Sequence, residues 1–77
     1  MIGGKMKRYY VLSNSIPLRA QPENGYTRLQ AIERVQREIN NDLKLFGNDL
    51  TLEQIKFNYD ICDTKNFHID YDARLAF

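Results

Sequence analysis

The chain has 77 residues, of which 43% are hydrophobic and 27% charged, and eleven basic residues against ten acidic ones give a formal net charge of +1. This length allows one small domain, and the hydrophobic share excludes disorder as the default state. No apolar run approaches the ~18 residues that a membrane span requires, so the sequence excludes a membrane-spanning protein.

A single cysteine, Cys62, excludes an internal disulfide. Small secreted domains usually carry paired cysteines, so the sequence favours a reducing, cytoplasmic location. The N-terminal segment has neither the long apolar core nor the cleavage site of a signal peptide, and we expect residues 1–5 to be loosely held. Without a disulfide, dimerisation is a common way to stabilise so small a core, which favours a homodimer.

The first predicted element is a strand over residues 7–13, a segment rich in aromatic and branched side chains. Residues 16–18 either extend it past a bend or form a short second stretch. Pro17 lacks the N–H that a strand ladder needs, which confines that stretch to a sheet edge. Residues 21–25 contain Pro, Asn and Gly and are typical of a turn.

A long amphipathic helix is predicted over residues 28–46. Thr27 and Gln30 form a capping box at its start, and Gly47 follows as the C-cap. Apolar residues recur at spacings of three and four and form a single stripe that we expect to face the core. The stripe consists of Leu29, Ile32, Val35, Ile39, Leu43 and Phe46.

After this helix, the spacing of the apolar residues changes from the helical period of 3.6 to the strand period of 2. Thr51 and Gln54 repeat the capping box and predict a short helical turn near 52–55. The alternation that follows predicts a hairpin of strands 56–62 and 66–72 joined by the loop 63–65. One face of the hairpin is apolar in this register, which pairs Ile61 with Phe67, Tyr59 with Ile69 and Phe57 with Tyr71.

The predicted order is therefore strand, helix, strand, strand. The long helical connection suits a crossover to a parallel position in the same sheet. We expect one α+β domain over residues 1–77, a two-layer β-α-β-β unit with one helix on a small three-stranded sheet and a C-terminal β-hairpin. The tail at 73–77 is expected either to be flexible or to fold back onto the core.

Reactive side chains collect on the outer face of the predicted hairpin, where we find Asp60, Cys62, His68 and Asp70. These residue types could serve a metal ion or a cysteine nucleophile with a histidine base. A flat sheet face offers no pocket for substrate, however, and the ligand spacing matches no metal signature. We therefore expect no enzyme, no metal and no cofactor.

Nucleic-acid binding is the alternative function that the sequence supports. Basic residues on the first strand and on the helix could contact phosphates, and the neighbouring tyrosines could stack on bases. The residues concerned are Lys7, Arg8, Arg34 and Arg37. The near-neutral net charge is lower than a dedicated nucleic-acid-binding protein usually has.

A non-catalytic protein-binding module is the function that the sequence favours, as a regulator or inhibitor that also self-associates. One helix can cover only one face of a sheet, and adjacent tyrosines in a strand point to opposite faces. Apolar groups are therefore left over for a partner or a second copy. We expect the contact surface to include Tyr9 or Tyr10, together with Leu75 and Phe77.

Overall fold

The computed structural model describes residues 7–77. Its elements in chain order are β1 (Tyr9–Ser13), β2 (Ile16–Pro17), α1 (Arg28–Phe46), α2 (Leu52–Phe57), β3 (Tyr59–Asp63) and a C-terminal 3₁₀ helix (Tyr71–Ala76). The three strands form an antiparallel sheet in the order β2-β1-β3, and α1 packs across one of its faces. The predicted α+β class, with one main helix on a small three-stranded sheet, is confirmed.

The predicted parallel crossover is wrong, because β3 runs antiparallel to β1. After β2 the chain returns along a loop at residues 18–26, and Tyr26 exchanges two backbone hydrogen bonds of 2.8 Å with Tyr9. Helix α1 therefore begins beside the start of β1 and runs in the same direction. The next strand has to return the opposite way, which places Tyr59 opposite Ser13.

The loop at residues 18–26 completes the edge of β1 that faces away from β3. The Gln21 side chain accepts a hydrogen bond from Val11 N at 2.7 Å and donates to Val11 O at 3.1 Å and Leu18 O at 2.8 Å. A side-chain amide thus replaces a strand residue next to β1. The predicted turn is present, with Gly25 N donating to Pro22 O at 2.9 Å.

Helix α1 has the predicted bounds, and its capping box is present. Its buried residues are Ala31, Ile32, Val35 and Ile39. The prediction that the whole stripe faces the core is wrong at both ends, because the side chain of Leu29 is 66% exposed and that of Phe46 is 46% exposed. A 19-residue helix is ~28 Å long, whereas a five-residue strand spans ~17 Å, so both ends of α1 extend past the sheet.

The second capping box, Thr51 with Gln54, is also present, but α2 continues to Phe57. Phe57 is therefore on a helix and 73% exposed, instead of inside a strand. The alternation that begins at Tyr59 is confirmed, since Tyr59 and Ile61 face the core at 5% and 0% exposure.

The predicted C-terminal hairpin is reduced to one bridge between Cys62 and Ile69. The Asp63 carboxylate accepts from Lys65 N at 2.7 Å, and Asp63 O accepts from Phe67 N at 2.8 Å, which widens the turn beyond three residues. Asp70 then caps the 3₁₀ helix by accepting from Ala73 N. These local hydrogen bonds engage backbone groups that the second strand of the predicted hairpin would otherwise pair, so that strand does not form.

Residues 73–77 are packed and are not a free tail. Ala73 is fully buried in the core, and the Gln36 side chain donates to Ala76 O at 2.8 Å. The other predicted tail, residues 1–5, lies outside the described residues.

The turn between β1 and β2 contains a strained serine, which gives a first prediction. Asn14 and Ser15 have φ values of 51° and 68°, the conformation of a two-residue turn that favours Asn-Gly. Ser15→Gly is expected to raise the free energy of unfolding by about 0.5–1 kcal/mol, because glycine tolerates this φ. Urea denaturation measures the effect. Asn14→Gly is the control, with little change expected, and a loss of stability in Ser15→Gly would contradict the prediction.

Tyr59 gives a prediction at alkaline pH. Its hydroxyl donates to the Asp42 carboxylate, and burial together with this bond raises the pKa of Tyr59 well above its usual value. The unfolded chain releases this proton near pH 10 while the folded chain keeps it, so the free energy of unfolding is expected to fall as the pH rises above about 10. Urea midpoints from pH 8 to 11 should show this fall in the wild type and a shallower one in Tyr59→Phe. An equal decrease of the urea midpoint with pH in the two proteins would refute the assignment of this effect to Tyr59.

Candidate functional site

The face of the sheet opposite α1 carries an apolar depression, which we call the open-face groove. Tyr10, Leu12 and Cys62 point to this face because they alternate with core-facing residues on β1 and β3. The groove has a volume of about 660 Å³. Its lining consists of Tyr10, Leu12, Ser15, Pro17, Leu18, Ala20, Gln21, Pro22, Glu23, Cys62 and Phe67.

One wall of the groove is held in place by hydrogen bonds that involve the loop at residues 18–26. The Tyr10 hydroxyl donates to Glu23 O at 3.0 Å. From the other side, the Arg34 guanidinium donates to Ala20 O at 3.0 Å and to Arg19 O at 3.1 Å. The wall is thus tied to both β1 and α1, so the groove is preformed.

Phe67 lines the groove from the turn that follows β3. Its side chain is 69% exposed, and its backbone has a φ of 57°, in the left-handed region. This conformation costs a non-glycine residue ~1–2 kcal/mol. The chain therefore holds a large aromatic ring in solvent at a position where glycine or asparagine would be more stable.

Cys62 belongs to the floor of the groove and is 4% exposed. Burial, with a smaller effect of the neighbouring Asp63 and Asp60 charges, raises the pKa of the Cys62 thiol. The thiolate is the reactive form of cysteine, so this environment disfavours nucleophilic chemistry.

Of the other reactive side chains predicted to share one face, His68 and Asp70 lie apart from Cys62, whereas Asp60 stays on the same face of β3 by alternation. His68 and Asp70 line a different cleft, of about 620 Å³, beside Arg28. Arg28 Nε donates to the Asp70 carboxylate at 2.8 Å, and this bond holds the pKa of Asp70 below its usual value. Asp60 instead faces Arg74, with 3.3 Å between Oδ1 and Nε. Within residues 7–77, no three His, Cys, Asp or Glu side chains converge on a point that could hold a metal ion.

Two of the four predicted nucleic-acid contacts are engaged inside the protein. Arg8 donates to Gly25 O at 2.6 Å, and the side chain of Arg34 is only 14% exposed, with Glu38 and the Tyr26 hydroxyl among its partners. Lys7 and Arg37 are exposed.

The four predicted protein contacts do not form one surface. Tyr9 is 7% exposed and belongs to the core, so it is not available to a partner. Tyr10 lines the open-face groove. Leu75, at 88% exposure, lies on the 3₁₀ helix, and Phe77 packs partly against the core.

Sequence reasoning missed most of the groove. The run from Tyr9 to Leu12 contains four apolar residues in succession, and such a run indicates a strand that is apolar on both faces. This signal could have identified Leu12. Pro17 reaches the groove through β2, whereas Pro22 and Phe67 reach it only through the loop and the turn that carry them.

The structural role of Arg34 gives a further prediction. Arg34→Met is expected to lower the free energy of unfolding by about 1–3 kcal/mol, because several oxygen atoms of the loop lose their donor. Arg37→Met, one turn along α1 and exposed, is the matched control and should change stability by less than about 0.5 kcal/mol. Urea denaturation compares the two. Equal effects would show that Arg34 does not hold the loop.

Comparison with known proteins finds no family model, no curated protein and no solved structure that matches the chain. Among the described residues, no helix combines the length and the apolar character needed to cross a membrane.

Proposed function

We propose that the chain is a small, non-catalytic protein-binding module that regulates or inhibits a partner protein in the cytoplasm. The open-face groove is its contact surface. The observation that carries this proposal is the preformed apolar groove on the face of the sheet that α1 leaves uncovered. The single, buried cysteine supports a reducing compartment.

The groove has the chemistry of a protein interface more than that of a catalytic pocket. Aromatic side chains such as Tyr10 and Phe67 are enriched at contact sites and supply much of their binding energy. Its cysteine is buried, with a raised pKa. Acid–base or covalent catalysis therefore has little support in this groove.

The experiment compares two exposed phenylalanines. Phe67, at 69% exposure, lines the groove, whereas Phe57, at 73% exposure, lies on α2. Tagged wild type, Phe67→Ala and Phe57→Ala are used to capture proteins from a nuclease-treated lysate. Each captured protein is then purified and titrated against the three forms by calorimetry.

We expect one partner to bind the wild type and Phe57→Ala with similar affinity and to bind Phe67→Ala at least ~10-fold more weakly. Equal binding to all three forms would refute the groove as the contact surface. Capture that occurs only in a parallel lysate without nuclease would favour the nucleic-acid function through Lys7 and Arg37.

Self-association is a second proposal and concerns a different surface. Leu75 is 88% exposed and follows Arg74, whose guanidinium lies 5.3 Å from the centre of the Phe57 ring. Glu53 and Lys56 border the same region, so two copies could pair opposite charges around an apolar centre. Sedimentation velocity should show a homodimer that Leu75→Glu dissociates. A monomer at all concentrations would refute the proposal.

A further inference from the structure

We infer that the open-face groove binds an extended, proline-containing peptide with a basic residue beside its prolines. This inference rests on the proposed function and names the chemistry of the partner. It follows from the backbone bonds around β1, the rings that line the groove, the charge of Glu23 and the conformation of Phe67.

The edge of β1 has no room for an added strand. Tyr9 bonds with Tyr26, Val11 with the Gln21 side chain, and Ser13 pairs with Ile16. The outer strand, β2, is two residues long and includes Pro17, which has no N–H. Strand addition at β1 is therefore disfavoured, and contact through side chains, as in the recognition of a polyproline II segment, fits this edge.

The rings of the groove suit such a segment. Tyr10 and Phe67 supply two aromatic rings, and Pro17 and Pro22 supply two prolines. Proline-rich peptides bind in grooves of this composition because their rings pack flat on aromatic faces and their backbone is already ordered.

The charge of the groove favours a basic residue beside the prolines of the peptide. Among the described residues that line the groove, Glu23 is the only charged one. Its backbone oxygen accepts a hydrogen bond from the Tyr10 hydroxyl, so the residue that bears the carboxylate is held beside Tyr10. A Lys or Arg side chain next to the prolines would complement this carboxylate.

The conformation of Phe67 agrees with a binding role. Its left-handed backbone, with a φ of 57°, is unfavourable, and its ring is 69% exposed, so folding does not account for the choice of phenylalanine. Strained residues of this kind are found at ligand-binding positions. Occupation of the groove would bury the ring.

The test uses synthetic peptides and the isotope-labelled full chain. The probes are acetylated heptapeptides with a Pro-Leu-Pro-Pro core and one Arg at either end, each matched by a version with Glu for Arg and one with Ala for Pro. Titration is followed by the backbone amide signals. We expect shifts at Tyr10, Leu12, Glu23 and Phe67, binding ~5-fold weaker for the Glu version and ~10-fold weaker for the Ala version.

Variants assign these effects to residues. Glu23→Gln should remove the preference for Arg over Glu. Phe67→Gly should raise the urea midpoint because the backbone strain is relieved, yet weaken peptide binding ~10-fold, whereas Phe57→Ala should change binding by less than ~2-fold.

Three outcomes would overturn the inference: no peptide shifts the groove signals, the Ala version binds as well as the Pro version, or Arg and Glu versions bind equally. Phe67-dependent capture of a protein in the lysate experiment would leave the proposed function standing in each case. If that capture also failed, the groove itself would be wrong.

Discussion

Replacing Ile61 by alanine is expected to lower the free energy of unfolding by about 2–5 kcal/mol, the usual cost of removing a buried isoleucine side chain. Ile61 lies at the centre of β3 opposite Val11, and both are 0% exposed against α1. A domain of this size is stable by roughly 4–11 kcal/mol, so the variant loses a large part of its stability.

Ile16→Ala is the matched control, because it removes the same atoms from a side chain that is 67% exposed on β2. Urea denaturation followed by circular dichroism should give a change of less than about 1 kcal/mol for this variant. Similar losses at Ile16 and Ile61 would contradict the position of the core between the sheet and α1.

Gln21→Ala is expected to lower the free energy of unfolding by about 2–4 kcal/mol. The amide of Gln21 is an acceptor for Val11 N and a donor to Val11 O and Leu18 O. Val11 O keeps its bond from Leu18 N at 3.0 Å, but Val11 N would lose its acceptor in a buried position, which is the larger part of the cost.

Hydrogen exchange at Val11 N tests this directly, and its protection should fall in Gln21→Ala. Gln21→Glu keeps an acceptor but loses both donated bonds, so we expect it to be destabilised as well. Gln36→Ala, which removes one exposed bond to Ala76 O, should cost less than about 1 kcal/mol. Unchanged protection of Val11 N would show that the side chain does not complete the strand edge.

The sequence predicts α1 to the residue because its signals are local. The hydroxyl of Thr27 and the amide of Gln30 define the start, and the buried positions from Ala31 to Ile39 follow the helical period. Similar local signals identify the start of α2 at Thr51.

Alternation alone was a poor guide to the C-terminal segment. Phe67 and Tyr71 fit a buried strand face by spacing, yet side-chain bonds of Asp63 and Asp70 to nearby backbone form a turn and a 3₁₀ helix instead. The alternation of apolar and polar residues carries no information about such side-chain-to-backbone hydrogen bonds.

Most of the groove could not be predicted, for a related reason. It joins β1 to the loop near Pro22 and to the turn at Phe67, segments that are far apart in the chain. Their meeting depends on the antiparallel return of β3, which the predicted parallel crossover did not include.

The closed edges of the sheet also bear on aggregation. Gln21 and Tyr26 occupy one side of β1, and residues 68–70 bond to the outer edge of β3 at Ile61 and Asp63. Unpaired strand edges are the usual template for fibrils. This chain exposes large apolar side chains but covers these strand edges, which disfavours open-ended polymers built by strand addition.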